Sequence, residues 1–190
     1  ILEGRGRERS FRMAAAPDGW FELVTSEAVP GTRYRFRLAG LDVPDPASRW
    51  NPDDVHGPSV VLDPESFTWS DGGWHGRPWH EAVIYEVHVG TYTPEGTFEA
   101  LRHKLDHLAG LGVTALELMP VADFPGARNW GYDGVLAFAP DASYGTPAEF
   151  KTLIQTAHAK GLMVFLDVVY NHFGPEGNYL HVYAMPFFSR

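Results

Sequence analysis

LMVFLDVVYNH, residues 162–172, is an almost wholly apolar run that ends in polar side chains. Apolar residues fill nearly every position from 162 to 169, which is typical of a parallel strand covered on both faces. Asp167, Asn171 and His172 lie near or just past the end of the run. Because the loops that follow parallel strands meet at one edge, polar residues at this position are candidates for a functional site. The run therefore predicts a buried strand whose carboxyl end faces a site.

Two further strands precede this run, and a helix lies between them. The β-rich runs 83–89 and 115–119 predict the strands. Thr97 has the character of a helix N-cap. It is followed by apolar residues at helical spacing, namely Phe98, Leu101, Leu105 and Leu108. This pattern predicts one complete β/α unit.

The second helix is marked at both ends. Residues 146–149, TPAE, combine a capping box with proline at the first helical position. Its predicted buried stripe is Phe150, Leu153, Ile154 and Ala157. Lys160 and Gly161 form a favourable C-terminal ending. We therefore predict an α/β protein whose second part forms consecutive right-handed β/α units of a barrel or a doubly wound sheet.

Residues 1–78 show a different pattern, of β structure followed by a connector. Residues 20–24, WFELV, and residues 34–38, YRFRL, in which every second side chain is apolar, flank Pro30-Gly31, which predicts a hairpin. We expect a further short strand at 60–62, and a partner sheet upstream. Six prolines between residues 44 and 78 predict an irregular connector, and we place the domain boundary near residue 79.

The composition argues against several classes of partner. The 190 residues are 44% hydrophobic and include no cysteine, so we expect a folded chain without disulfides, in the cytoplasm. A formal charge of −9 argues against a nucleic acid, because that binding depends on lysine and arginine. No apolar run is long enough to cross a membrane, and the N-terminus, which begins at Ile1, lacks a signal-peptide pattern. We expect neither a nucleic acid nor a membrane as partner.

The connection from residue 119 to residue 146 is far longer than a usual βα loop, and long loops of this kind are usually functional. Five side chains from this loop and from the last strand are predicted to share one mouth: Tyr132, Asp133, Asp167, Asn171 and His172. In the alternative interpretation, these side chains pair with a buried arginine, cap the turn or pack under the loop. The pattern alone leaves both interpretations open.

Other chemistries have little support in the sequence. His103 and His107 have the i, i+4 spacing of metal ligands, but they lie off the apolar stripe and lack a third ligand, so we expect a solvated helix face. A nucleophile elbow, a phosphate loop and a dinucleotide fingerprint are all missing. Asp133 and Asp167 are conceivable as the paired carboxylates of a glycosidase, but we do not assign them as that pair, because the sequence does not give their separation.

Residues 167–172, DVVYNH, resemble the first signature region of the α-amylase superfamily of glycoside hydrolases. Five further segments narrow the match: YEVHVGT (85–91), ELMPV (117–121), NWGYDG (129–134), YGTP (144–147) and FGPEGNY (173–179). They are similar to the maltooligosyltrehalose trehalohydrolases and, less closely, to glycogen branching enzymes. The connector segments PDPASR (44–49) and VHGPS (55–59) favour the trehalohydrolases, and the match spans nearly the whole chain.

The resemblance implies an immunoglobulin-like β-sandwich followed by a (β/α)8 TIM barrel. Residues 1–78 would be the end of the sandwich plus the connector, and residues 79–190 an incomplete barrel of about three strands. The implied reaction hydrolyses the α-1,4-glucosidic bond next to the terminal trehalose of maltooligosyltrehalose, with retention of configuration, and releases trehalose. The substrate would be maltooligosyltrehalose or a related α-glucan, with no cofactor and no metal ion. The alternatives are a glycogen branching enzyme, which transfers the glucan, and a non-catalytic glucan-binding module.

The resemblance also implies roles for particular residues. Tyr132 would stack under the sugar at the cleavage subsite, with Trp130 and Asp133 as further substrate-binding residues. His172 would donate a hydrogen bond to a hydroxyl of that sugar, Asp167 would orient an arginine that supports the nucleophile, and Asn171 would be structural. Motifs for the nucleophile and the acid/base residue do not occur in these 190 residues. We therefore expect this piece to be inactive without the remainder of its own polypeptide, because an unclosed barrel leaves a strand edge unpaired.

Overall fold

The computed structural model describes residues 1–4 and 7–188. The strands, in chain order, are β1 (Leu2–Gly4), β2 (Arg7–Arg9), β3 (Ala14–Ala15), β4 (Phe21–Glu22), β5 (Arg33–Tyr34), β6 (Phe36–Leu38), β7 (Leu41–Val43), β8 (Ser59–Val60), β9 (Ile84–Val87), β10 (Ala115–Leu118), β11 (Ala122–Asp123), β12 (Leu136–Pro140) and β13 (Met163–Leu166). The helices are α1 (Val89–Tyr92), α2 (Phe98–Arg102), α3 (Leu105–Gly110), α4 (Pro147–Ala159) and α5 (Leu180–Tyr183). Of the helices in the described residues, none is both long and apolar enough to span a membrane.

Three parallel strands form the centre of the fold, in the order β9, β10, β13. The three predicted strands are confirmed, although each ends one to three residues earlier than predicted. Leu118 is paired with Val87 on one side and with Leu166 on the other, so the strands end at the same level. The Asp167 N–H then donates a last bond to the Leu118 carbonyl, at 2.9 Å. Side chains that follow the three strands therefore start from one edge of the sheet.

The first helical layer covers one face of this sheet. The predicted stripe of Phe98, Leu101, Leu105 and Leu108 is fully buried and packs in one core with Leu116 and Leu118. Thr97 is the N-cap, because its Oγ1 accepts from the Ala100 N–H at 3.2 Å. The stripe is carried by two short helices, α2 and α3, rather than by the one helix that its spacing predicts. The chain tightens between them, where the Lys104 N–H bonds to the Leu101 carbonyl.

Helix α4 begins and ends as predicted. The Thr146 N–H donates to Glu149 Oε2 (2.6 Å), and the Glu149 N–H donates back to Thr146 Oγ1 (3.2 Å), which completes the capping box. Leu153 and Ala157 of the predicted stripe are buried, and the Phe150 ring stacks on the Phe98 ring with centroids 4.6 Å apart. Gly161 adopts a φ of 73°, the left-handed conformation that ends helices.

The hairpin predicted from residues 20–24 and 34–38 is wrong. Strand β4 pairs with β3, and β5 pairs with β1 and β8. A tight hairpin instead joins β6 to β7 through Ala39 and Gly40, whose φ values of 50° and 86° suit a two-residue turn. Alternating side chains mark a strand but do not name its partner, and the turn geometry decides the pairing. The strand expected near residue 60 is confirmed as β8.

The connector is fastened along the β/α part of the chain. His158 Nδ1 of α4 is hydrogen-bonded to Asp71 Oδ2 at 2.6 Å, and the imidazole is stacked on the Trp74 ring with centroids 5.0 Å apart. The Ser70 N–H donates to Gln155 Oε1 at 2.5 Å. At the other end, the Tyr183 hydroxyl donates to the Pro44 carbonyl at 2.7 Å. The domain boundary near residue 79 stays a prediction, because these contacts join residues before it to residues after it.

The long connection after β10 contains a hairpin that its sequence pattern did not reveal. Strands β11 and β12 pair antiparallel, with an irregular register. Val135, Leu136 and Ala139 form a second, smaller core with Val55 of the connector. The hairpin is thus held by apolar contacts to the connector, a partner that is distant in sequence.

Asp123, in β11, is a buried carboxyl whose oxygens have no hydrogen-bond partner. Burial, followed by the charges of Asp141 and Asp54, raises the pKa of Asp123 to about 8. Burial also raises the pKa of Asp141, but this carboxyl accepts bonds from the Phe124 N–H (3.2 Å) and from Ser143, which oppose the shift. A carboxyl in such surroundings is neutral at pH 7, because the charged form would be desolvated beside two other carboxylates.

The pH dependence of stability should therefore change in Asp123→Asn. The folded-state pKa of Asp123 lies above its value in the unfolded chain, so its contribution is fully present below about pH 4 and is lost as the pH rises to about 8. We expect the free energy of unfolding of the unaltered chain to fall by about 3 kcal/mol between pH 5 and pH 9, and to fall by less in the Asn variant. Denaturant unfolding at pH 5, 7 and 9 measures both. Asp18→Asn, at an exposed carboxyl, is the control. An unchanged pH slope in Asp123→Asn would contradict the assignment.

Candidate active site

Tyr132 and Asp167 meet at the carboxyl edge of the parallel sheet. The Tyr132 hydroxyl donates to Asp167 Oδ2 at 3.1 Å. Asp167 directly follows β13, and its position is fixed by the backbone bond to Leu118. Tyr132 comes from the long connection after β10, so the contact joins two different strand ends.

His172 belongs to the same group. Its Nε2 lies 2.8 Å from the Tyr132 carbonyl, and its Nδ1 lies 3.1 Å from Asn171 Oδ1. Both partners are oxygens that can only accept, so each of these two bonds needs a proton on the imidazole nitrogen that makes it. The structure therefore brings Tyr132, Asp167 and His172 together, with Asn171 beside His172.

Trp130 and Asp133 lie in the turn that carries Tyr132. Asp133 is held within the turn, because Asn129 Nδ2 donates to Asp133 Oδ2 at 2.8 Å. Asn129 Oδ1 also accepts from the Gly131 N–H (2.8 Å) and from the Asp133 N–H (3.4 Å). The Trp130 ring is 78% exposed, which leaves its faces free to pack on a ligand. Asn129 thus closes the turn as a side-chain cap.

Gly131 lets this turn lie against the end of the sheet. Its φ is 100°, a conformation that other residues rarely adopt. A Cβ at this position would also collide with the Pro120 carbonyl oxygen. The glycine is therefore required both by the turn and by the close approach of the two backbones.

Carboxylates dominate the electrostatics of the site. The hydrogen bond to Asp167 is the first cause that raises the pKa of Tyr132, followed by burial and by the charges of Asp167, Glu86 and Glu117. Glu86 and Glu117 sit at paired positions of β9 and β10. The phenol of Tyr132 consequently stays protonated and donates its hydrogen. An anionic ligand would be repelled by these carboxylates, whereas a neutral ligand with hydroxyl groups would not.

A cavity of about 410 Å³ adjoins Asp167 and is largely apolar. Its lining includes Pro120, Gly134, Phe138, Leu166 and Phe173, together with Trp69 of the connector and Phe150 and Ile154 of α4. Neither Tyr132 nor His172 lines it, so the cavity lies beside this group of residues rather than within it.

Two residues at the site were missed in the sequence. His88 follows β9, and its Nε2 lies 2.7 Å from the Asn129 carbonyl. Asn129, the capping residue of the turn, was read only as part of a motif. A polar residue at the end of the first strand and an asparagine before a glycine turn are signals that could have identified them.

His103 and His107 stay outside this group. His103 Nε2 contacts Glu99 at 3.0 Å on the exposed side of α2. Within residues 1–4 and 7–188, no three His, Cys, Asp or Glu side chains are grouped in a way that could hold a metal ion.

The alpha amylase catalytic-domain family matches residues 61–184. A malto-oligosyltrehalose trehalohydrolase of Deinococcus radiodurans is 54% identical over 177 residues, which cover 93% of this chain and 29% of that protein. A second one, of Saccharolobus solfataricus, is 48% identical over 180 residues, or 94% of this chain and 32% of that protein. A crystal structure of a putative alpha amylase from Salmonella typhimurium has a TM-score of 0.93 and 55% identity, and the match covers 100% of this chain and 32% of that one. The chain thus spans less than a third of the length of these curated relatives.

Gly131→Ala should destabilise the chain more than a matched glycine substitution. Gly126 also has a positive φ, of 82°, but a Cβ there would meet nothing within 4 Å. We expect Gly131→Ala to lower the free energy of unfolding by about 2 kcal/mol more than Gly126→Ala, because only Gly131 adds a backbone clash to the strained φ. Denaturant unfolding of both variants checks this. Equal losses would mean that the turn can move away from Pro120.

Proposed function

This chain belongs to the α-amylase family, and on that basis we propose that it is part of a glycosidase that acts on maltooligosyltrehalose. The proposed reaction hydrolyses the α-1,4-glucosidic bond next to the terminal trehalose, with retention of configuration, and releases trehalose. The observation that carries the proposal is the contact of Tyr132, Asp167 and His172 at one strand edge. Identity of 48% and 54% to two trehalohydrolases supports the choice of substrate.

The proposed architecture is the front portion of a (β/α)8 TIM barrel, preceded by part of an immunoglobulin-like sandwich. Strands β9, β10 and β13 would be the first three barrel strands, since they are parallel, adjacent and joined through helices on one face. The site would then lie where barrel enzymes carry theirs, at the carboxyl ends of the strands. The nucleophile and the acid/base residue would come from strands outside this chain. The cytoplasm stays the predicted location.

In this mechanism, Tyr132 stacks under the sugar at the cleavage subsite. Its ring is 38% exposed, and its hydroxyl is anchored on Asp167, so the ring is held without being covered. Asp167 would use its other carboxylate oxygen for the arginine that supports the nucleophile. Trp130 and Asp133 would extend the substrate-binding loop, and Asn171 would keep a structural role beside His172.

His172 would donate a hydrogen bond to a hydroxyl of the same sugar, as the family resemblance implies. Its two ring nitrogens lie near two acceptors, the Tyr132 carbonyl at 2.8 Å and Asn171 Oδ1 at 3.1 Å. A sugar hydroxyl that replaced Asn171 Oδ1 would accept from Nδ1 in its place. Hydrogen bonds of this kind can strengthen as the oxocarbenium-like transition state forms.

Product analysis with the full-length polypeptide tests the reaction. Incubation with maltooligosyltrehalose should release trehalose and a shortened maltooligosaccharide, without new α-1,6 branches. New branches without trehalose would instead indicate a glucan-transferring branching enzyme. Binding of the oligosaccharide without any product would indicate a non-catalytic glucan-binding module.

The role of His172 predicts a particular kinetic signature. In the full-length polypeptide, His172→Ala should lower kcat by about 10- to 100-fold and change KM by less than about 3-fold, because the lost bond acts mainly in the transition state. His107→Ala, on the exposed helix face, should leave both constants unchanged. Steady-state kinetics of trehalose release measure both variants. Unchanged turnover in His172→Ala would remove this residue from the mechanism.

A further inference from the structure

His88 holds the Tyr132 turn from the strand that lies furthest from His172 in the sheet. We infer that His88 and Asn129 are positioning residues, which set Tyr132 in place for the sugar without touching it. The inference rests on the proposed function, because it assigns the ring of Tyr132 to the cleavage subsite. The observation behind it is a chain of hydrogen bonds that runs from β9 through the turn to His172.

The imidazole of His88 has one fixed orientation. Its Nε2 faces the Asn129 carbonyl at 2.7 Å, so Nε2 carries the proton, and the Thr91 hydroxyl lies 3.2 Å from Nδ1, which accepts. The Tyr144 ring stands edge-on to the imidazole at 6.1 Å. On the other side, a Cβ at Gly90 would come within 3.1 Å of His88 Cε1. Packing and hydrogen bonds therefore select the same rotamer and the same tautomer.

Asn129 carries this constraint into the turn. Its carbonyl accepts from His88, while its side chain accepts from the Gly131 and Asp133 N–H groups that flank Tyr132. The backbone on either side of Tyr132 is thus tied to one residue, and that residue is tied to β9. His172 then holds the Tyr132 carbonyl from the side of β13.

These hydrogen bonds matter for catalysis because reaction rates are sensitive to small displacements of positioned groups. Without the bond from His88, the turn would keep its internal bonds but lose its anchor on β9. The ring of Tyr132 would then shift with the turn. His88 also packs against Tyr144 of the core, so a variant that keeps the bond to Asn129 but lacks the ring is needed to separate the two effects.

The matched variants are His88→Ala, His88→Gln and His88→Asn. The amide nitrogen of glutamine can reach the position of Nε2 and donate to the Asn129 carbonyl, whereas the shorter asparagine cannot. In the full-length polypeptide, we expect the Ala and Asn variants to lose about 10-fold in kcat for trehalose release with KM changed by less than about 3-fold, and Gln to recover kcat to within about 3-fold. His107→Ala should match the wild type.

Trypsin gives a readout that does not depend on activity. Arg128 is exposed and immediately precedes Asn129, so cleavage after Arg128 reports the order of the turn, and cleavage after the exposed Arg12 reports the rest of the chain. The ratio of the two initial cleavage rates should rise by about 10-fold in His88→Ala and stay within about 2-fold of the wild-type ratio in His88→Gln.

The outcomes separate the two proposals. If the wild type releases no trehalose, the proposed reaction fails, and the cleavage ratio still tests the anchor. If His88→Ala leaves both kcat and the cleavage ratio unchanged, the positioning role is overturned. Faster cleavage at both arginines alike, or no recovery with glutamine, would overturn it as well, because either result would reflect general loosening of the fold.

Discussion

Leu118 pairs with Val87 and with Leu166, and this register of the parallel sheet determines where the site residues begin. A parallel ladder fixes the relative height of its strands through the backbone, independently of the side chains. A slip of two residues in one strand would move its end by about 7 Å, more than twice the length of a hydrogen bond. Tyr132 and Asp167 could not then meet. The site therefore depends on backbone pairing in the sheet before it depends on any side chain.

Close contacts between backbone segments then hold the loops at the strand ends in place. Gly131 lies against Pro120, and Gly174 lies against the Asp133 carbonyl so closely that a side chain would not fit. The Gly174 N–H also donates to the Gly134 carbonyl at 3.2 Å, which joins the segment after His172 to the loop after β10. Two glycines thus bring three chain segments within hydrogen-bonding distance. These backbone contacts add to the hydrogen bonds by which the His88 and Asn129 side chains hold the Tyr132 turn.

The sequence predicted those parts of the fold in which the decisive forces are local. The run at 162–169 predicted a strand and Thr146 a capping box, and both form, because an apolar run and an N-cap each leave a residue pattern. The predicted burial of this strand on both faces was wrong, since β13 runs from buried Met163 to exposed Leu166. The predicted pairing of β4 with β5 was wrong, because β4 pairs with β3 and β5 pairs with β1. The hairpin of β11 and β12 was missed because its apolar side chains pack on Val55, far away in the sequence. His88 was overlooked because its bond goes to a backbone carbonyl, which no side-chain pattern encodes.

The contacts between the connector and α4 limit where this protein can be shortened. Asp71, Trp74 and Ser70 cover His158 and Gln155 on the outer surface of that helix. An expression fragment that began at residue 79 would leave His158 without its carboxylate and without its stacked indole. The natural unit for excision or for grafting onto another scaffold therefore includes the proline-rich segment, even though that segment has almost no regular secondary structure.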